Sequence, residues 1–173
     1  MSPPHDDHDS FVREAIRLHE RPLLRYVIHL LGDHDRARDI VQDTYVKLCR
    51  QPLANVDGHV AEWLFTVARR AALDVIRKEG RMSQFAEGQA ERLVAADPTP
   101  AATAETRESC QQVLGLLPRL PRNQQEVVRL KFQEGFSYQE IAAITHLSMG
   151  NVGFLLHTAL ATLRHEMTRP SAV

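Results

Sequence analysis

The sequence predicts an all-α protein made of two small helical domains joined by a flexible linker, the second domain ending in a helix-turn-helix. Three observations carry that reading. Apolar residues recur at i, i+3 and i+4 along most of the chain, and no strand-like alternation of any length interrupts them. Between residues 82 and 106 the character changes to Gly88, Asp97, Pro98, Pro100 and a run of alanine and threonine, which is the composition of a linker. The stretch FSYQEIAAITHLSMGNVGFLLHTALATLR, residues 136–164, reads as two capped helices about three residues apart, the arrangement in which a second helix can lie in a DNA major groove. The expected boundaries are a disordered tail over 1–9, a first domain over 10–81, the linker over 82–106, a second domain over 107–168 and a tail over 169–173.

Bulk properties narrow the function classes. With 173 residues, 43% hydrophobic and 25% charged, the chain has ordinary globular composition. A net charge of -1 argues against binding nucleic acid by overall electrostatics, so any DNA contact must come from local patches or a partner. Cys49 and Cys110 lie far apart with no metal-ligand spacing, and both are expected to be reduced, buried, small hydrophobes. No apolar run reaches the roughly 20 residues that span a bilayer, and the acidic start lacks a signal-peptide core. The expected location is therefore the cytoplasm, without membrane insertion. The sequence shows no nucleophile and base pair, phosphate-cradling glycine loop or metal cluster, so neither an enzyme nor a cofactor is expected.

The elements follow in order. Residues 1–9 hold prolines, histidines and aspartates with little to order them, and His5 and His8 beside the aspartates read as solvated groups rather than a metal site. A helix is expected from Ser10 to about Glu20, and Pro22 is expected to start another through Leu31, with Leu23, Leu24, Val27, Ile28 and Leu31 inward. Gly32 stops it, and Asp33 or Asp35 opens the next helix. That helix buries Ala37, Ile40, Val41, Thr44, Tyr45 and Leu48, leaving Asp39, Gln42, Asp43 and Lys47 on the other side. Pro52 ends it, and Asp57 can cap a third helix over about 58–79. Val60, Leu64, Val67, Ala71 and Val75 form one stripe of that helix and Phe65, Ala72 and Ile76 a second on nearly the opposite side, which reads as a helix wrapped by others. Arg69, Arg70, Arg77, Lys78 and Arg81 give its far half a local basic excess suited to phosphate. A solvated basic helix end would account for Lys78 and Arg81 alone. Trp63 borders the buried stripe and is read as core rather than as a wedge between bases.

Past the linker, a helix is expected from about Ala104 through Leu117, then one from Arg122 through Gln133 carrying Val127, Val128, Leu130 and Phe132. In the helix-turn-helix, Ser137 and Glu140 have the spacing of a capping box, and Phe136 with Ile141 that of a hydrophobic staple. Ser148 can cap the second helix. Winding that helix at about 100° per residue turns Val152, Leu155, Leu156, Ala159 and Leu163 inward and Asn151, Phe154, His157, Thr158, Ala161 and Arg164 outward.

Several of these segments together resemble one family. RDIVQDTYVKL, AEWLFTVARRAALDVIRKEGR and LPRLPRNQQEVVRLKFQEGFSYQEIAAIT are similar to the second and fourth conserved regions of bacterial extracytoplasmic-function (ECF) sigma factors, and the likeness runs from Phe11 to Met167. The resemblance implies a protein that binds core RNA polymerase, brings it to a class of promoters and is controlled by an anti-sigma factor. It implies that Asp39, Gln42 and Asp43 meet the clamp helices of the largest polymerase subunit. Arg69, Arg70, Arg77 and Lys78 would meet the minus-ten element, and the loop from Asn55 to Asp57 would hold a flipped base there. Ser148, Asn151, Phe154, His157, Thr158 and Arg164, with Arg129 and Lys131 ahead of them, would meet the minus-thirty-five element, and this domain would also meet the flap of the second-largest subunit.

Two departures stand out. Arg70 occupies a place where the family usually has asparagine, and the outward face of the last helix carries no lysine or arginine before Arg164. Two readings of that face stay open. Asn151 can read a base edge and Phe154 pack on a thymine methyl, while Arg119, Arg122, Arg129 and Lys131 touch phosphates. Alternatively, the surface around Phe154 is a protein-binding patch for an anti-sigma factor or the flap. The same poverty of charge motivates a competing function, a sigma-like decoy that titrates an anti-sigma factor without initiating transcription. A self-sufficient repressor is a further alternative, disfavoured by the near-neutral charge.

Overall fold

The computed structural model describes residues 4–83 and 113–168, and every described regular element is helical. The chain divides into two units, residues 1–94 and 95–173. The linker expected over 82–106 lies almost entirely outside the described residues, as do Cys110, the side chain of Arg81 and the start of the helix expected from Ala104.

The first unit contains α1 (Pro4–Leu31), α2 (His34–Cys49) and α3 (Val60–Ser83), each packed on the other two. Two expectations fail in α1. It begins at Pro4, inside the stretch read as a disordered tail, and it runs through Pro22 without ending. Proline at the first position and aspartates just after it suit a helix start. The His8 Nε2 lies 3.0 Å from the Cys49 carbonyl, which ties the early turns to the end of α2. Pro22 removes one helical hydrogen bond, but Val12 and Ala15 before it and Leu23, Tyr26 and Val27 after it are buried on the same core. Tertiary packing on both sides of the proline outweighs the local penalty.

α2 follows its periodicity residue for residue: Ala37, Ile40, Val41, Thr44, Tyr45 and Leu48 are all buried. Asp33 caps it, its carboxylate accepting from the Asp35 and Arg36 amides at 2.9 and 3.1 Å. Buried Thr44 satisfies its hydroxyl by donating to the Ile40 carbonyl at 2.7 Å. Cys49 is exposed, contrary to its reading as a buried hydrophobe, and stands as the last residue of α2, past the buried Leu48.

α3 starts later than expected. Asp57 does not cap it: Val56 is fully buried, Gly58 turns the chain at a φ of 78°, and the helix begins at Val60. Its buried residues are Leu64, Phe65, Ala68 and Ala72, which lie within about 100° of one another on a helical wheel. The two stripes are thus adjoining sectors of one broad face rather than opposite faces. Phe65 meets Tyr26 with ring centroids 5.0 Å apart. An Arg36–Glu79 ion pair links the start of α2 to the far half of α3.

In the second unit, helical residues 113–116 lead through a 3-10 turn, Leu117–Arg119, into α4 (Arg122–Phe132), α5 (Tyr138–Thr145) and α6 (Met149–Thr168). Leu117, Leu120, Val127, Leu130, Phe136, Ile141, Ile144, Val152, Leu156 and Ala159 form its core. Phe132, expected among the apolar residues of α4, is 61% exposed at the helix end.

Candidate nucleic-acid and polymerase interfaces

In the first unit, α2 has a sharply divided surface. Asp39, Gln42 and Asp43 are exposed and Val46 is 48% exposed, opposite the buried side. The positions 39, 42, 43 and 46 share one face at i, i+3, i+4 and i+7 spacing, so Val46 adds an apolar side chain at the C-terminal end of a polar strip. The sequence reading missed it because a valine on an apolar-rich helix is indistinguishable from core until the register is fixed.

On α3, Arg70, Arg77 and Lys78 are exposed, and Arg77 Nη1 lies 3.2 Å from Asp74 Oδ1. Arg69 is partly buried and has an interaction partner. Trp63, read as core, is only partly buried. At about 100° per residue, Trp63, Arg70, Asp74 and Arg77 fall within about 60° of arc, so the indole shares the face of the exposed arginines. Asn55 and Asp57 are both exposed and flank buried Val56, which anchors the loop from below. The Asp57 carbonyl accepts from His59 Nδ1 at 3.1 Å, and the Asp57 amide donates to Leu53 at 2.9 Å, so the backbone of this loop is held while its two polar side chains face outward.

The helix-turn-helix forms with the caps its sequence specifies. Glu140 N donates to Ser137 Oγ and Ser137 N to Glu140 Oε2, and Phe136 and Ile141 are both buried. His146 ends α5 in the left-handed conformation, φ 57° and ψ 33°, where glycine would be at ease. Asn151 N donates to Ser148 Oγ at 3.1 Å, capping α6 and leaving the serine proton available to a ligand. The inward set is buried as expected, while Asn151, Phe154, His157 and Arg164 are exposed, Phe154 at 66%. Thr158 is half-buried and spends its proton on the Phe154 carbonyl at 2.9 Å, so toward a ligand it can only accept.

The basic residues ahead of α6 are less available than their charge suggests. Arg119 is paired with Glu166, and Arg129 Nη1 lies 3.3 Å from Gln133 Oε1. Lys131 Nζ donates to the Phe136 carbonyl at 3.2 Å and sits 5.4 Å from the Tyr138 ring centroid. Arg122 is exposed. Met149 and Tyr138, 54% and 42% exposed, add to the apolar surface near Phe154. Among the described residues no cluster of His, Cys, Asp and Glu has the makings of a metal site, and no helix is long and apolar enough to cross a membrane.

A three-helix unit with a polar strip and a basic helix, followed by a helix-turn-helix unit, is the pairing of conserved regions that defines sigma-70 proteins, the promoter-specificity subunits of bacterial RNA polymerase. Residues 15–82 match the family Sigma-70 region 2 and residues 110–163 match Sigma-70, region 4. The chain is 32% identical over 148 residues to the ECF RNA polymerase sigma factor EcfG of Rhodopseudomonas palustris, covering 82% of this chain and 77% of that one. It is 27% identical to the RNA polymerase sigma factor YlaC of Bacillus subtilis, covering 94% and 95%. Among solved structures it is similar to the sigma factor RpoE of Bartonella quintana, determined with the anti-sigma factor NepR, at a TM-score of 0.69 and 26% identity, covering 91% of this chain and 98% of that one. The chain belongs to the ECF sigma factors of the sigma-70 family.

Proposed function

We propose that this sigma factor works in the cytoplasm by dividing its contacts among four surfaces. The strip Asp39, Gln42, Asp43 and Val46 docks on the clamp helices of the largest polymerase subunit. Arg70, Arg77 and Lys78 meet the backbone of the minus-ten element, and the loop of Asn55 and Asp57 receives an unstacked base. Trp63, on the arginine face of α3, stands beside the strand being opened. In the second unit, Ser148, Asn151, Phe154, His157 and Arg164 face the minus-thirty-five element, and Thr158 adds an acceptor.

The observation that carries this reading is α2: one side is buried without exception, while the other presents two carboxylates, an amide and an exposed valine that the fold itself does not use. Together they make a mixed polar and apolar strip of the composition that a protein interface uses. Control by an anti-sigma factor is supported by the solved relative's complex with NepR and by the exposed Phe154, Met149 and Tyr138, which an inhibitor can cover. A decoy would need only that inhibitor-binding surface, whereas the exposed basic face of α3 adds a surface suited to DNA phosphates that a decoy would not need.

The test is reconstitution. The purified full chain should co-elute with core polymerase and direct run-off transcription from promoters found by mapping transcription starts on overexpression. Co-elution with an anti-sigma factor but no transcript from any such promoter would instead identify a decoy.

A further inference from the structure

We infer that Lys131 is a positioning residue, which with Tyr138 sets the recognition helix α6 against the rest of the second unit, rather than a phosphate contact. The proposal rests on the reading of α6 as the minus-thirty-five reader. Lys131 stands in the last turn of α4. Its ammonium donates to the carbonyl of Phe136, the residue before the Ser137 cap, and faces the ring of Tyr138, the first residue of α5. Tyr138 in turn reaches α6: a Cβ placed on Gly153 would lie 3.6 Å from Tyr138 Cε2. One cation is therefore joined to the end of α4, to the turn before α5 and, through an aromatic ring, to the second turn of α6.

Two otherwise separate oddities meet at this contact. A glycine in a helix interior is unfavourable, and Gly153 lies where the Tyr138 ring comes up to α6, close enough that a Cβ there would touch the ring at an ordinary contact distance. A tyrosine 42% exposed at the start of α5 keeps its place because a cation lies over its face. The ammonium's charge is committed to a carbonyl and a ring, and the side chain is partly buried, so little of it is presented to a phosphate. Asn151 and Phe154 lie within two residues of Gly153 on α6, so a shift of the helix at Gly153 moves both candidate base contacts together.

The test measures promoter binding by holoenzyme assembled from core polymerase and the full chain, using a promoter selected from a randomised pool by the wild-type holoenzyme. Binding is followed as a function of salt concentration. Lys131→Met should lower affinity roughly tenfold, the scale of one misplaced base contact, with the slope of log affinity against log salt unchanged. Tyr138→Leu should do the same, the double variant should lose no more than either single one, and Lys131→Arg should restore binding. Circular dichroism melting of each variant confirms that the second unit is folded, and Lys131→Gln replaces any variant that is not. A slope reduced by about one in Lys131→Met, with Tyr138→Leu behaving as wild type, would make Lys131 a phosphate contact and overturn the proposal alone. Wild-type binding indifferent to scrambling the upstream element would overturn the minus-thirty-five reading and this proposal with it.

Discussion

Ser137 and Glu140 satisfy each other's backbone: the Glu140 amide donates to Ser137 Oγ at 3.2 Å, and the Ser137 amide donates to Glu140 Oε2 at 2.7 Å. This reciprocal pair starts α5, and α5 carries α6. Ser137→Ala should destabilise the second unit by about 1 kcal/mol. Because the two bonds belong to one device, Ser137→Ala with Glu140→Ala should cost less than the sum of the single changes. Chemical denaturation of the full chain, following the unfolding step of the second unit, checks both expectations; strict additivity would show that the two hydrogen bonds act independently.

Two residues of the helix-turn-helix carry backbone costs that substitution can remove. His146 holds a left-handed conformation unfavourable for a side chain with a Cβ, and His146→Gly should stabilise the unit by about 1 kcal/mol. Gly153→Ala should gain a similar amount, about 1 kcal/mol, since its Cβ would meet Tyr138 at an ordinary contact distance of 3.6 Å. Denaturation midpoints of both variants decide the matter, and a loss of stability in Gly153→Ala would mean that the ring cannot share the space.

The two faces of the first unit should separate by function. Asp43→Ala and Val46→Glu should weaken binding to core polymerase on the order of tenfold, about 1.4 kcal/mol, with open-complex formation by the assembled holoenzyme unchanged. Arg70→Ala should do the reverse. Competition binding to core enzyme and permanganate footprinting of the melted strand read the two steps. Equal loss of both activities in every variant would sink the division of labour.

Acid should weaken the first unit through His19. Partial burial lowers the pKa of this histidine below its ordinary value of 6.5, because desolvation disfavours the charged imidazolium. The unfolded chain therefore binds the proton more readily than the folded one. The contribution of His19 is fully present above about pH 6.5, declines as pH falls toward the depressed folded value, and levels off below it. His19→Gln should flatten the stability of the first unit across that window in a pH series of thermal melts; an unchanged profile would show that other groups govern its acid sensitivity.

Much of this molecule was legible because its signals are local. The α2 and α6 core faces follow helical winding residue for residue, and the caps of α5 and α6 are spelled in serine and glutamate spacing. What escaped was set by packing at a distance. Pro22 reads as a helix start until Val12 and Tyr26 are seen on one core, and Asp57 reads as a cap until buried Val56 and Gly58 place the turn before Val60. The candidate sites show the same division. Their positions on helices followed from periodicity, but the commitment of Arg119, Arg129 and Lys131 to intramolecular partners depends on which turns meet, and composition does not report it. Trp63 is partly buried beside the apolar stripe, and the helix register also sets it on the side that carries Arg70 and Arg77.

α6 is fixed near both ends, by the Ser148 hydroxyl at its start and by the Arg119–Glu166 pair in its last turns. Between those anchors, Asn151, Phe154, His157 and Ala161 are exposed and take no part in the core. Substitutions there should cost within about 0.5 kcal/mol of stability. Such a surface can drift freely across generations: under the proposed role of α6, gene duplicates of this protein can change the upstream element they prefer one residue at a time, without first acquiring the stability to survive the change.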